Sequence, residues 1–131
     1  MRDSAPLSGA ALALRTAHAA VAVTFLGAIA YVWWCGLTRR RGRVLRGCVA
    51  ALACEGAAVA ASGGDCPLGG LQERVGDPVP LFELVLSPRA AKAAVPALGA
   101  VAAAGVALVA LRPPAGAGQR TAYRRAGRRT S

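Results

Sequence analysis

Acidic residues and lysine are scarce in this chain. Asp and Glu together number 6 among 131 residues, against 16 Lys and Arg, and Lys92 is the only lysine. Charged residues make up 17%, where a soluble domain carries about 25%. With apolar residues at 55% and a mean hydropathy of +0.44, the deficit excludes an ordinary soluble fold and points to lipid as the solvent. Aromatics are also few, at 5%. A net charge of +10 would otherwise raise nucleic acid as a partner. No aromatic interleaving or recognition motif accompanies the arginines, apart from a lone Tyr123, so nucleic-acid binding is not expected. No C-x-x-C pair occurs among Cys35, Cys48, Cys54 and Cys66, which removes the spacing of thioredoxin-type redox and zinc sites. Phosphate loops and cofactor motifs are missing too, and no nucleophile–base pair is evident from sequence. The reading therefore leans away from an enzyme and calls for no metal and no cofactor.

What is present is apolar length. A bilayer core of about 30 Å needs about 20 apolar residues in a helix, and three stretches qualify: Thr16 to Leu37, Val44 to Ser62 and Ala93 to Leu111. The expected fold is all-α, an integral membrane bundle of three transmembrane helices plus a short interfacial or re-entrant segment. Residues 1–112 form the transmembrane domain, with an external loop at 63–92, and residues 113–131 form a disordered basic tail. Tyr31, Trp33 and Trp34 suit the headgroup level at the end of the first span. Pro96 is expected in the first turn of the third span, where proline is tolerated. Arg15 interrupts the first apolar run and five arginines follow it, which reverses the order of a signal peptide.

The basic residues set the orientation. Arg39, Arg40, Arg41, Arg43 and Arg46 crowd the first connection, and six arginines lie from Arg112 onward. The second loop sets Arg74, Arg89 and Lys92 against Asp65, Glu73, Asp77 and Glu83. The positive-inside rule then places the N-terminus outside and the C-terminus in the cytoplasm of a bacterial inner membrane, with anionic lipid near the basic loop and tail. The wealth of Arg, Ala and Gly fits a GC-rich bacterial genome. In the second loop, Gly63-Gly64 ends a helix and Pro67 opens a short one, with Leu68, Leu71 and Val75 along one face. The run Leu81 to Leu86 is too short to span.

Packing in lipid relies on close approach over small residues. Cys48, Ala51, Glu55, Ala58 and Ser62 share one face of the second span, and Ala100, Ala103, Ala107 and Ala110 share one face of the third. Leu45, Val49 and Leu52 are then expected to face lipid. Such small faces serve a compact bundle, a homo-oligomer or a contact with another membrane protein.

Glu55 is the most informative residue, because a charge in mid-span is costly. Its carboxyl either exchanges protons, ligates a cation or, protonated, hydrogen-bonds a neighbouring helix. Thr24 lies at similar depth and is the expected direct partner, with His18 nearer the outside as a relay. Only Cys66 faces an oxidising compartment; an intrachain disulfide would have to use Cys54, and an unpaired thiol or an intermolecular disulfide is the alternative. Asp65, Cys66, Pro67 and Leu68 complete the external candidates.

His18, Glu55, Cys66-Pro67-Leu68, Leu71-Gln72 and Arg74 together resemble a family of small polytopic bacterial membrane proteins of unknown function. That family carries a Cys-Pro-Leu-Thr motif followed by a Leu-Glu pair just after the second span. Here Gly69 stands where the Thr falls and Gln72 where the Glu falls. The likeness covers roughly residues 18–90; it implies the same topology and supplies no activity. The leading expectation is a non-enzymatic membrane subunit or scaffold. The alternatives are a proton- or cation-coupled transport accessory using Glu55, and a membrane thiol-redox protein using Cys66.

Overall fold

The computed structural model describes residues 8–64, 66–77 and 79–116. Four α-helices follow in order: α1 (Gly9–Thr38), α2 (Arg43–Ala61), α3 (Pro67–Arg74) and α4 (Pro88–Leu111), with a 3-10 turn at Leu81–Leu84. The described residues contain no strand. Three of the helices, α1, α2 and α4, are long and apolar enough to cross a membrane, and the chain is an all-α bundle.

Helix α1 begins seven residues before the expected span. Ser8 caps it, its hydroxyl accepting from the Ala11 amide at 3.2 Å. Its 30 residues reach about 45 Å at 1.5 Å per residue, longer than a bilayer core. Its N-terminal turns carry Arg15 past the end of α2. At the other end Arg39 takes the left-handed conformation (φ 55°), and its amide bonds the Cys35 carbonyl, which turns the chain into α2. Helix α2 stops at Gly63 and Gly64, both at positive φ, with the Gly64 amide returning to the Val59 carbonyl at 2.9 Å.

Helix α4 also starts early, at Pro88 behind the Ser87 cap. Pro96 is consequently interior rather than in the first turn. It has no N–H to give the Lys92 carbonyl, which loses its usual helical donor. Ser87-Pro88 opens the helix ahead of the apolar run, so that run alone does not mark its start.

Trp33 packs beside Gly105 and Gly36 beside Leu108, so α1 and α4 run in the same direction, while α2 runs back against the other side of α1. The Trp33 indole donates to the Val101 carbonyl at 3.0 Å. At the shared end the Arg41 guanidinium donates to the carbonyls of Val109 and Arg112, satisfying the C-terminal end of α4 as a cation is suited to do.

The core is small: Val32, Cys35 and Leu45, with Cys48, Val49, Leu52, Val106 and Val109 against it. This corrects the expected helix rotation. Leu45, Val49 and Leu52 face inward, while Ala51, Ala100, Ala103, Ala107 and Ala110 are exposed. Bulky side chains fill the space between α1 and its neighbours; Ala51, Ala100 and Ala110 stay outside, while Ala103 and Ala107 border the space between α2 and α4. Large apolar residues such as Val23, Trp34 and Val85 are exposed as well, as a surface solvated by lipid requires.

Candidate functional site

The most polar part of the described structure lies where α3 folds over α1. Helix α3 opens at Pro67 with Cys66 as its cap, and Val75-Gly76 ends it. Gly76 has φ +87°, a conformation glycine adopts without steric cost. The chain thereby doubles back, and the Asp77 amide bonds the Gln72 carbonyl at 3.1 Å. That turn brings the Asp77 carboxylate under Gln72 and against Arg15.

Five side chains then form one line of hydrogen bonds. Arg15 donates to Asp77 through Nε at 2.7 Å and through a second guanidinium nitrogen. The Gln72 amide nitrogen donates to Asp77 Oδ2 at 2.7 Å and to the Val79 carbonyl at 3.1 Å. Gln72 Oε1 lies 2.9 Å from His18 Nδ1, and His18 Nε2 lies 3.5 Å from Cys66 Sγ. Gln72 and Asp77 are each 1% exposed and His18 8%. No buried side-chain nitrogen or oxygen among the described residues lacks a partner.

Donor and acceptor counting fixes the protons along this line. Ionised Asp77 only accepts, and both amide hydrogens of Gln72 are used, on Asp77 and Val79. Gln72 therefore presents its oxygen to His18, and Nδ1 must carry the imidazole proton. Nε2 then faces the Cys66 sulfur, placed to exchange a proton with it. The Arg15 guanidinium, bonded to Asp77, holds that carboxyl below its usual range; the Gln72 amide and the Val79 backbone add to this, against the opposing effect of burial.

This line ends at a cavity of about 670 Å³ in the wedge between α2 and α4, with α1 behind it. Its walls are apolar, among them Phe25, Ile29, Leu52, Val59, Leu98 and Val106, and Phe82 of the 3-10 turn contributes too. His18, Cys66 and Glu55 are its ionisable lining residues.

The sequence candidates separate accordingly. His18 and Cys66 are joined, and Leu68 lines the cavity beside them. Glu55 is half-buried on the cavity wall, with no hydrogen bond among the described residues. Thr24 is not its partner: its hydroxyl donates to the Ala20 carbonyl at 2.8 Å on an exposed face. A hydroxyl in mid-helix satisfies itself on its own backbone, so similar depth alone does not pair it with Glu55. Cys54 is exposed and unpaired, so the 54–66 disulfide is not formed. Pro67 begins α3, and Asp65 lies outside the described residues. No three His, Cys, Asp or Glu residues among those described could hold a metal ion.

Arg15, Gln72 and Asp77 were missed as site residues. The signal was present, because a cation inside an apolar run calls for an anionic partner, and Asp77 is one of few acids in the chain. No family model matches the chain, nor does any curated protein or solved structure.

Proposed function

We propose that this chain is a membrane thiol protein in which Cys66 is the nucleophile, His18 its base and Gln72 the residue that orients the base. One observation carries the reading, the continuous order Cys66–His18–Gln72 anchored by Asp77 and Arg15. A nucleophile, a base within reach and a third group holding the base in one tautomer are the working parts of nucleophilic catalysis. On transfer of the thiol proton to Nε2, Gln72 Oε1 accepts from Nδ1–H and stabilises the imidazolium. The polar chain thus favours the thiol reading over a passive scaffold, which has no use for a fixed tautomer. A Glu55–Thr24 relay has lost its partner, and Glu55 becomes a polar mark on the cavity wall.

The site faces the outside of a bacterial inner membrane in this reading. The first connection and the residues after Leu111 hold most of the arginines, and the positive-inside rule puts both in the cytoplasm. The N-terminus and the α3 end of the bundle are then external. The likeness to the Cys-Pro-Leu-Thr family supports the same choice of residues, since its motif falls on Cys66, Pro67 and Leu68.

The test is the rate at which iodoacetamide alkylates Cys66 in a variant where it is the sole cysteine, reconstituted in lipid. Replacing His18 by Ala should slow alkylation near neutral pH by about 10²-fold or more, the lower range of general-base contributions. Equal rates with and without the imidazole would sink the proposal.

A further inference from the structure

The thiol site lies at the end of an apolar cavity, and this bears on what Cys66 meets. We propose that its substrate is a long-chain acyl ester, the acyl chain lying in the cavity between α2 and α4 and the carbonyl at Cys66. This rests on the thiol reading above and adds the substrate class.

Three observations converge. The cavity, at about 670 Å³, falls within the range of about 300–1,000 Å³ of small-molecule sites. Its walls follow α1 from His18 to Ile29, about 16 Å of helix, so it is long as well as apolar. The nucleophile and base stand together at one end of this lining, where a chain entering tail-first leaves its carbonyl. The second thiol that disulfide exchange would need is not at hand: Cys54 is exposed, and Cys35 and Cys48 belong to the opposite end of the bundle, with Leu45 and Val109. A single thiol with an oriented base is suited to acyl transfer.

The step balances without an oxidant. The Cys66 thiol passes its proton to His18 Nε2 as sulfur bonds to the carbonyl carbon. The carbon–oxygen bond of the ester breaks, and the leaving oxygen takes the proton back from His18. The products are an S-acyl Cys66 and an alcohol. Water, giving its proton to the same imidazole, then cleaves the thioester to a carboxylic acid and restores the thiol.

The experiment uses the full chain in lipid nanodiscs with p-nitrophenyl palmitate and p-nitrophenyl acetate as acyl donors. Intact-mass spectrometry follows an adduct removable by hydroxylamine, and Cys66→Ala gives the background. The palmitoyl donor is expected to acylate Cys66 at least about tenfold faster than the acetyl donor, the least that a chain-filled pocket supplies. A Cβ at Gly99, on the cavity wall, meets nothing within 4 Å, so Gly99→Phe has room to fill the chamber. That variant should lose the preference for palmitate. Equal acylation by the two donors in the parent chain, with alkylation still dependent on His18, overturns the acyl assignment and leaves the thiol reading standing. Alkylation independent of His18 overturns both.

Discussion

At the scale of single residues, the line from Arg15 to Cys66 depends on each member for its proton order. Gln72 is the sharpest case. Glutamate there would accept from His18 but could not donate to Asp77, and two carboxylates would meet beside one guanidinium. Gln72→Glu is therefore expected to loosen the Asp77 end, and Gln72→Leu to free the imidazole tautomer. Both should slow alkylation of Cys66, the Leu variant without changing the charge. A Gln72→Leu protein that alkylates at the parent rate would show that the imidazole needs no orienting group. Asp77 sets the pH dependence. Its carboxyl is held low by Arg15, so its ionised form stabilises the fold above the ordinary value of about 3.9. That stabilisation is lost as pH falls through the lower folded value. In thermal unfolding in detergent, the Tm gap between the parent and Asp77→Asn should be steady from about pH 5 to 8 and close below about pH 4. A gap that persists below about pH 4 would mean that ionised Asp77 is not what stabilises this corner.

At the scale of elements, the contact between α1 and α4 turns on a missing side chain. A Cβ at Gly105 would stand 2.8 Å from Trp33 Nε1 and 2.9 Å from Cδ1, and an indole ring has little freedom to yield. Gly105→Ala should destabilise the bundle by about 1–3 kcal/mol, the usual penalty of overpacking, measured by unfolding in SDS. Removing the ring as well, in Gly105→Ala with Trp33→Leu, should recover part of the loss relative to Trp33→Leu alone. Additive losses would mean that the two residues do not meet. Apolar length is enough to find α1, α2 and α4 in the sequence, Gly63-Gly64 marks the end of α2 and Pro67 the start of α3, while α1 and α4 begin ahead of their apolar runs. Rotation was not legible. Alanine is compatible with either a helix contact or a lipid face, so Ala100, Ala103, Ala107 and Ala110 read as an interface when they are exposed. Only the partner across the gap decides, and for Leu45 that partner is Val32 on another helix.

For the whole molecule, charge spacing gave an orientation, while the site came from a turn that periodicity does not encode. His18 and Cys66 stood out by residue type, yet Arg15 and Asp77 are separated by 62 positions. Their pairing needs α1 to extend beyond the apolar run and Gly76 to reverse the chain. The proposed orientation binds these features together. Helix α1 is about 45 Å long, longer than a bilayer core, and α3 folds back on the side of its N-terminal turns. If that side is external, Cys66 meets the outer leaflet and an oxidising compartment. If it is cytoplasmic, the arginines at 39–46 and beyond Leu111 lie outside, against the usual bias. A membrane-impermeant maleimide distinguishes these in cells carrying Cys66 as the only cysteine. Labelling in intact cells is expected, and faster in His18-containing protein than in His18→Ala. Labelling that begins only when the cells are opened would reverse the orientation and move the source of any acyl donor to the cytoplasmic leaflet. The internal geometry of the thiol, imidazole and amide would stand, because their contacts are fixed by α1 and α3 and not by the direction of insertion.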